Sequence, residues 1–205
     1  MLPTLRCERR LLPELSADPQ EEIWREVRGV ELRGVVDGEP PKQGTIVRSV
    51  WNRLEWRILF EVADNHVWAT FTERDAPLYQ EEVVEVFVDP VGDLECYFEM
   101  EMNPLNAVFD LVLRKNRSGY TKDLAWRCEG LRTAVRRNDR GWCAELAIPF
   151  ASLIAEPPRA GARWRGNFCR IDRPPNVERE LSAWSVPGRA NFHTPERFGW
   201  IEFAE

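Results

Sequence analysis

The sequence predicts an all-β fold, namely an antiparallel β-sandwich of two sheets, jelly-roll or immunoglobulin-like, with one or two short helices. Apolar and polar residues alternate in many short segments, which is typical of half-buried strands. Asp, Asn, Gly and Pro separate these segments, and only one stretch has a clear helix pattern. A chain of 205 residues is long enough to bury one sizeable core. We therefore predict an N-terminal arm, residues 1–17, followed by a single domain, residues 18–205.

The helix is predicted directly after this arm. Asp18 is a suitable N-cap, Pro19 fits the first helical position, and Glu21 completes a capping box. Gly29 is suited to end the helix. A second, shorter helical turn is predicted where Pro149 opens the sequence PFASLI.

Ten segments have the strand pattern. They are Thr45–Trp51, Arg57–Ala63, Val67–Thr72, Val83–Asp89, Glu95–Met102, Ala107–Arg114, Leu131–Arg137, Trp142–Ile148, Arg163–Ile171 and Gly199–Phe203. Proline pairs at 157–158 and 174–175 mark loops, because a ladder does not tolerate proline internally.

Composition excludes several classes of partner. A net charge of -6 argues against nucleic acid, whose binders concentrate Lys and Arg on one face. No apolar run approaches the roughly 20 residues of a membrane span, so no membrane partner is predicted. The five cysteines contain no CxxC pair, which favours free thiols over disulfides or a zinc site. The oligomeric state stays open.

The first residues bear on localisation. The sequence MLPTLRCERRLLPELSADP lacks the continuous apolar core of a signal peptide. The chain as printed is therefore predicted to be cytoplasmic, and extracellular if its start was trimmed.

Two consecutive strands carry the main candidate site. Alternation places Val84, Val86 and Val88 on one face and Glu85 on the other. If the following hairpin closes symmetrically, Glu85 lies opposite Glu99 and Phe87 opposite Tyr97. Facing carboxylates repel each other, so an arginine, a cation or ligand hydroxyl groups are expected to satisfy them. A solvated outer face with nearby arginines explains the pattern equally well.

Two aromatic residues lie in loop-like contexts near these strands. Tyr79 precedes the first strand in APLYQEE, and Trp184 occurs in ELSAWSVPG. Sugar rings present flat C–H faces rimmed by hydroxyl groups, and an exposed aromatic ring beside carboxylates suits them. Core packing is the ordinary role of any single Trp.

The ordered set of segments resembles family 9 carbohydrate-binding modules and their DOMON-like relatives, over about residues 18–203. The segments that carry the resemblance are WNRLEWRILFEVAD, EEVVEVFVDP, ECYFEMEMNPLNAVFD, GWCAELAIPFASL, WRGNFCRID and WSVPGRANFHTPERFGWIEF. The resemblance implies a β-sandwich that binds sugars, often at chain ends, between two aromatic side chains.

The resemblance also implies roles for individual residues. Tyr79 and Trp184 match the aromatic clamp, Glu85 matches an acidic position, and Glu99 matches a polar position of the next strand. Tyr79 stands where Trp is more usual, and Glu99 where an amide is. Further residues considered for the same site are Tyr97, Glu101, Asn167, Arg170 and His193, although Asn167 and Arg170 point to opposite faces. Glu145 is predicted to pair with Arg170 as a structural contact.

Structural calcium is implied by the same resemblance, with no other cofactor expected. The loop carboxylates Asp37, Asp64, Asp89 and Asp93 have the right chemistry but no dense ligand motif. The expected partner is a mono- or oligosaccharide, with a role in polysaccharide catabolism beside glycoside hydrolases.

Three alternatives to sugar binding without turnover remain. A glycosidase could use Glu85 and Glu99, which can meet the required separation, but an exposed sheet face would not raise a carboxyl pKa. A haem-binding electron carrier would need Met100 or Met102 with His193, although both methionines fall on the apolar face. The last alternative is a protein-interaction module whose sugar site has degenerated.

Overall fold

The computed structural model describes residues 1–205, and the fold is nearly all-β, with 44% strand and 6% helix. The strands are β1 (Thr4–Arg9), β2 (Val30–Glu31), β3 (Arg33–Gly34), β4 (Thr45–Trp51), β5 (Glu55–Ala63), β6 (Val83–Asp89), β7 (Cys96–Met102), β8 (Val108–Asn116), β9 (Gly119–Asp123), β10 (Arg132–Asn138), β11 (Gly141–Pro149), β12 (Arg163–Asp172), β13 (Glu180–Ala183) and β14 (Gly199–Ala204). The helix α1 spans Glu22–Arg25, and short 3-10 turns lie at Leu78–Gln80, Phe150–Ser152 and Pro195–Arg197.

The strands form one curled mixed sheet with the shape of a half-barrel, and eleven of the fourteen follow the order β10-β11-β5-β4-β1-β14-β12-β6-β7-β8-β9. Of the other three, β2 pairs with β4, β13 with β12, and β3 with β13. The all-β prediction is confirmed, whereas two separate antiparallel sheets are not what the hydrogen bonding shows. β1 joins the two halves by pairing in parallel with both β14 and β4. Residues 4–9 of the predicted arm are therefore part of the sheet, because they form the central strand β1.

One predicted strand is wrong and the helix is shorter than predicted. Residues 67–72 form no strand. The backbone N–H groups of Thr70 and Phe71 instead donate to the Glu81 carboxylate, so they cannot join a ladder. The helix covers four residues with Glu21 as N-cap, while Asp18 accepts a hydrogen bond from the N–H of Gln20.

Both faces of the β6–β7 pair are buried. The valine face of β6 joins the main core with Met100 and Phe168, as alternation predicts. The opposite face carries a second apolar cluster that includes Phe87 and Tyr97. Two chain segments contribute to this second cluster: the one between β5 and β6 supplies Leu78, Ala76 and Phe71, and the one between β13 and β14 supplies Phe192 and Phe198. The face that carries Glu85 is therefore covered, which excludes the alternative of a solvated outer face.

All five cysteines are unpaired thiols, and four of them are buried. None of the helices is long and apolar enough to cross a membrane.

Candidate functional site

Three glutamates meet on the covered face of β6 and β7. Glu85, Glu99 and Glu101 are 2%, 3% and 1% exposed, and one carboxylate oxygen from each lies within 4.8 Å of the others. The predicted register is wrong by two residues, because Glu85 pairs with Glu101 and Phe87 with Glu99. Asp89 explains the shift: its carboxylate accepts the N–H groups of the β6–β7 loop and holds that loop in a longer form. A two-residue shift keeps every side chain on its predicted face.

The cluster lacks the hydrogen-bond partners that the buried Glu145 carboxylate has. Glu145 accepts bonds from the N–H groups of Ser16 and Ala17, at 3.0 and 2.7 Å, and pairs with Arg57 rather than with the predicted Arg170. By contrast, Glu99 Oε2 and Glu101 Oε2 are buried without any hydrogen-bond partner. An unsatisfied buried polar atom costs about 1–3 kcal/mol, so these oxygens are suited to a ligand that donates hydrogen bonds.

Burial controls the protonation of the cluster. It raises the pKa of Glu85 and of Glu101 well above the usual range, and the neighbouring Glu99 carboxylate raises both further. The pKa of Glu99 rises to about 7, also through burial, with Lys122 opposing the shift. A protonated carboxyl group donates one hydrogen bond and still accepts others. At neutral pH the cluster therefore offers both donors and acceptors.

His193 and Tyr97 lie at one side of the cluster. The Tyr97 hydroxyl is 3.0 Å from His193 Nδ1, and Lys122 Nζ is 3.3 Å from His193 Nε2. His193 Nδ1 is also 3.9 Å from Glu99 Oε2. Burial lowers the pKa of His193 to about 4, and Lys122 lowers it further, so the ring is neutral at pH 7 and forms no ion pair with Glu99.

Tyr79 lies at the other side of the cluster and reaches the surface. It sits in the turn Leu78–Gln80, and its ring is 6.0 Å from that of Phe109. Phe109 pairs with Glu101 across β7 and β8. Since the Tyr79 side chain is 45% exposed, it is the predicted site aromatic that a ligand can reach directly.

Trp184 is not part of this group, which corrects the prediction of a two-sided aromatic clamp. It is 8% exposed and belongs to the main core, with its ring 5.5 Å from that of Phe168. Phe168 points away from its β12 neighbour Cys169, which pairs with Glu85. Gly199 leaves the space for the indole, because a Cβ there would lie 2.6 Å from the Trp184 ring.

Phe192 is the aromatic residue that the sequence reasoning missed. Its ring is 6.3 Å from that of Phe87, inside the second apolar cluster. It lies next to His193 in the segment FHTPERFG, and its position beside that candidate residue is the sequence feature that could have identified it.

Asn167 and Arg170, the remaining residues predicted for the site, have structural partners. Asn167 is 1% exposed, and its amide group bonds both the N–H and the carbonyl of Ser185. Arg170 lies on the opposite face, where its guanidinium meets Asp64, Glu82 and Asp172 at 3.2, 3.5 and 3.6 Å. The Asn167 amide is thus engaged by Ser185, and Arg170 lies on the face away from the carboxylate cluster.

The four predicted calcium ligands do not form one set. Asp37, Asp89 and Asp93 each accept backbone N–H groups of their own turns. Asp64 does lie near two other carboxylates, but Arg170 supplies the positive charge among them. The donor set around Asp64 therefore fits a buried guanidinium, and a calcium ion there would have to displace it.

The haem alternative does not fit the geometry. Met100 and Met102 are fully buried in the main core, whereas His193 contacts Tyr97 and Phe87 on the other face of the sheet. These side chains cannot ligate one iron.

Comparison with known proteins agrees with this architecture. The family model described as "Carbohydrate family 9 binding domain-like" matches residues 18–205. This chain belongs to that family. The family 9 domain is also similar to a curated protein of Arthroderma benhamiae named "Extracellular protein", with 26% identity over 195 residues, 88% of this chain and 86% of that protein.

Solved structures share the fold of this family 9 domain at low identity. A family 9 module from Caldicellulosiruptor kristjanssonii, in complex with cellotriose, superposes with a TM-score of 0.76 at 16% identity, covering 98% of this chain and 94% of that one. A crystal structure of a protein from Bacteroides uniformis has a TM-score of 0.78 at 19% identity, with 99% and 100% coverage.

Proposed function

We propose that this family 9 domain binds a mono- or oligosaccharide without turning it over, at the carboxylate cluster beside Tyr79. The observation that carries the proposal is the group of buried, unpartnered oxygens of Glu99 and Glu101 next to an exposed aromatic ring. Sugar hydroxyl groups would supply the missing donors, and the Tyr79 ring would pack on a sugar C–H face. The Caldicellulosiruptor module, solved with cellotriose and with glucose, supports the ligand class.

Neutral and ionised carboxyl groups have separate tasks in this proposal. Glu85 and Glu101, held protonated by burial, each donate to a sugar oxygen. Glu99, with a pKa of about 7, accepts from a sugar hydroxyl in its ionised form. This pairing of donors with acceptors selects for a ring rich in hydroxyl groups over an apolar ligand.

Glycoside hydrolysis is the second candidate, because the raised carboxyl pKa values meet one of its requirements. A retaining enzyme also needs an ionised nucleophile about 5–5.5 Å from the acid. Glu85 and Glu101 are both held neutral, which leaves Glu99 alone to ionise. Release of sugar from an oligosaccharide incubated with the protein would support this candidate over simple binding.

Calorimetric titration against glucose, cellotriose, xylose and related sugars tests the proposal. Saturable binding is expected, and Tyr79→Ala should weaken it about five- to tenfold through the lost stacking contact. Leu54→Ala is the matched control, since Leu54 is an exposed apolar residue at 75%, in the β4–β5 turn. Repeating the titration with calcium and with a chelator tests the calcium that the family resemblance implies. A silent panel would reject sugar binding and favour a protein-interaction module.

A further inference from the structure

The carboxylate cluster leaves its ionisable member Glu99 without a contacting cation, and a neutral sugar does not supply one. Lys122 lies near enough to lower the pKa of Glu99, but no lysine or arginine forms an ion pair with any member of the cluster, and His193 beside it is neutral at pH 7. The other buried triad, Asp64, Glu82 and Asp172, has Arg170 among its carboxylates. Buried carboxylates normally have such a cation, so the cluster around Glu101 lacks one positive group.

The cluster is compact enough for one small cation to contact all three carboxylates. Each carboxylate offers an oxygen, and these oxygens lie within 4.8 Å of one another. A primary ammonium group donates three tetrahedrally arranged N–H bonds of about 2.8 Å, so three acceptors up to about 4.6 Å apart lie within its reach. Glu99 Oε2 and Glu101 Oε2, which are buried without a hydrogen-bond partner, are the acceptors that such a cation would occupy.

We propose that the ligand of this site is an amino sugar whose ammonium group is held by Glu85, Glu99 and Glu101. This inference rests on the proposed function. The sugar ring then lies toward Tyr79, the exposed edge of the site. The ammonium provides three donors and the missing charge in one group. An N-acetylated sugar has neither, because its amide is neutral and has a single N–H.

Titration of the whole chain at about pH 7.5 with glucosamine, glucose, N-acetylglucosamine and ethylamine tests the assignment. Glucosamine is expected to bind at least about tenfold more tightly than glucose or N-acetylglucosamine, since charge-assisted hydrogen bonds are the stronger ones. Ethylamine, which lacks the ring, is expected to bind more weakly than glucosamine.

The titrations distinguish failure of the ammonium assignment from failure of the proposed function. Glucose that binds as well as glucosamine overturns the ammonium assignment and leaves the proposed function standing. Ethylamine that binds as well as glucosamine overturns the sugar. Calcium that binds in place of glucosamine, and loses its site in Glu99→Gln, assigns the cluster to a metal. No binding by any sugar rejects the proposed function itself.

Variants provide a second, independent readout. Glu99→Gln and Glu101→Gln keep the side-chain shape and remove an acid that lacks a partner, so both are expected to fold. Glu99→Gln removes the ionised acceptor and should reduce the preference for glucosamine over glucose about tenfold. Glu101→Gln replaces one neutral group by another, so it should reduce the preference by a smaller factor. Glu156→Gln, at an exposed loop residue, is the control and should leave the preference unchanged. An unchanged preference in both cluster variants overturns the proposal.

Discussion

Glu85 and Glu101 lie directly opposite each other on β6 and β7, both are buried, and neither is ion-paired. Like charges at facing positions destabilise a sheet, and burial adds a larger desolvation cost. The pair is tolerated because its members stay protonated, which burial enforces. The same protons make the stability of the fold depend on pH.

The first prediction is that stability falls as pH rises from about 6.5 to about 8.5, a window in which the carboxyl groups of the unfolded chain are already ionised. Carboxyl groups with a raised folded pKa stabilise fully below the unfolded value near 4.5, and that stability is lost toward the folded pKa. Glu85 and Glu101 contribute, as does Glu82, whose pKa burial raises to about 9. Each group that stays protonated lowers the free energy of unfolding by about 1.4 kcal/mol per pH unit.

Urea unfolding at several pH values measures this slope, and Glu101→Gln should reduce it by at least the share of one group. The exposed control Glu156→Gln should leave it unchanged. A flat pH profile for the wild-type protein would show that the cluster is hydrated rather than buried.

The second prediction concerns the opposite face. Arg170→Met should lower the free energy of unfolding by about 3–5 kcal/mol at neutral pH, because it leaves Asp64, Glu82 and Asp172 buried without their cation. Adding Glu82→Gln should recover part of the loss, since it removes one of the stranded acids. Equal stability of the single and double variants would show that the three carboxylates do not share Arg170.

Alternation was sufficient to predict which side chains share a face. It placed Glu85, Glu99 and Glu101 together, and a two-residue error in register did not disturb that result. The register itself depends on how Asp89 holds its loop, a contact that alternation does not encode. Burial of the face likewise depends on segments distant in the sequence, which bring Leu78 and Phe192 over it.

Trp184 shows a second limit of sequence reasoning. Its surroundings in the sequence resemble a loop, and the space that accepts its ring exists because Gly199, on another strand, has no Cβ. The sequence around Trp184 does not indicate that this space exists. The parallel pairing of β1 is a similar case, since its partners lie at the other end of the chain.

The third prediction separates the two aromatic residues. Trp184→Ala should cost about 3–5 kcal/mol of stability, as expected for a large core side chain. Tyr79→Ala should change stability by less than about 1 kcal/mol, because the ring is 45% exposed. Chemical unfolding of the two variants checks both values. A stable Trp184→Ala protein with impaired sugar binding would return Trp184 to the site.

The fourth prediction is that His193 titrates far below an ordinary histidine. Its pKa of about 4 results first from burial and second from the positive charge of Lys122. Lys122→Met should therefore raise the pKa by less than the whole shift, leaving it below about 6.5. The folded ring resists protonation, so the stability it contributes is present above about pH 6.5 and lost as the pH falls toward 4.

NMR titration of the imidazole resonances measures this pKa, and His66→Gln leaves His193 as the single histidine, because the chain has two. A value near 6.5 would mean that water reaches the ring freely. The segment between β13 and β14 would then not cover Glu99, whose Oε2 lies 3.9 Å from His193 Nδ1. The carboxylates would ionise at ordinary pH, and both the pH-dependent stability and the need for a cationic ligand would fail together.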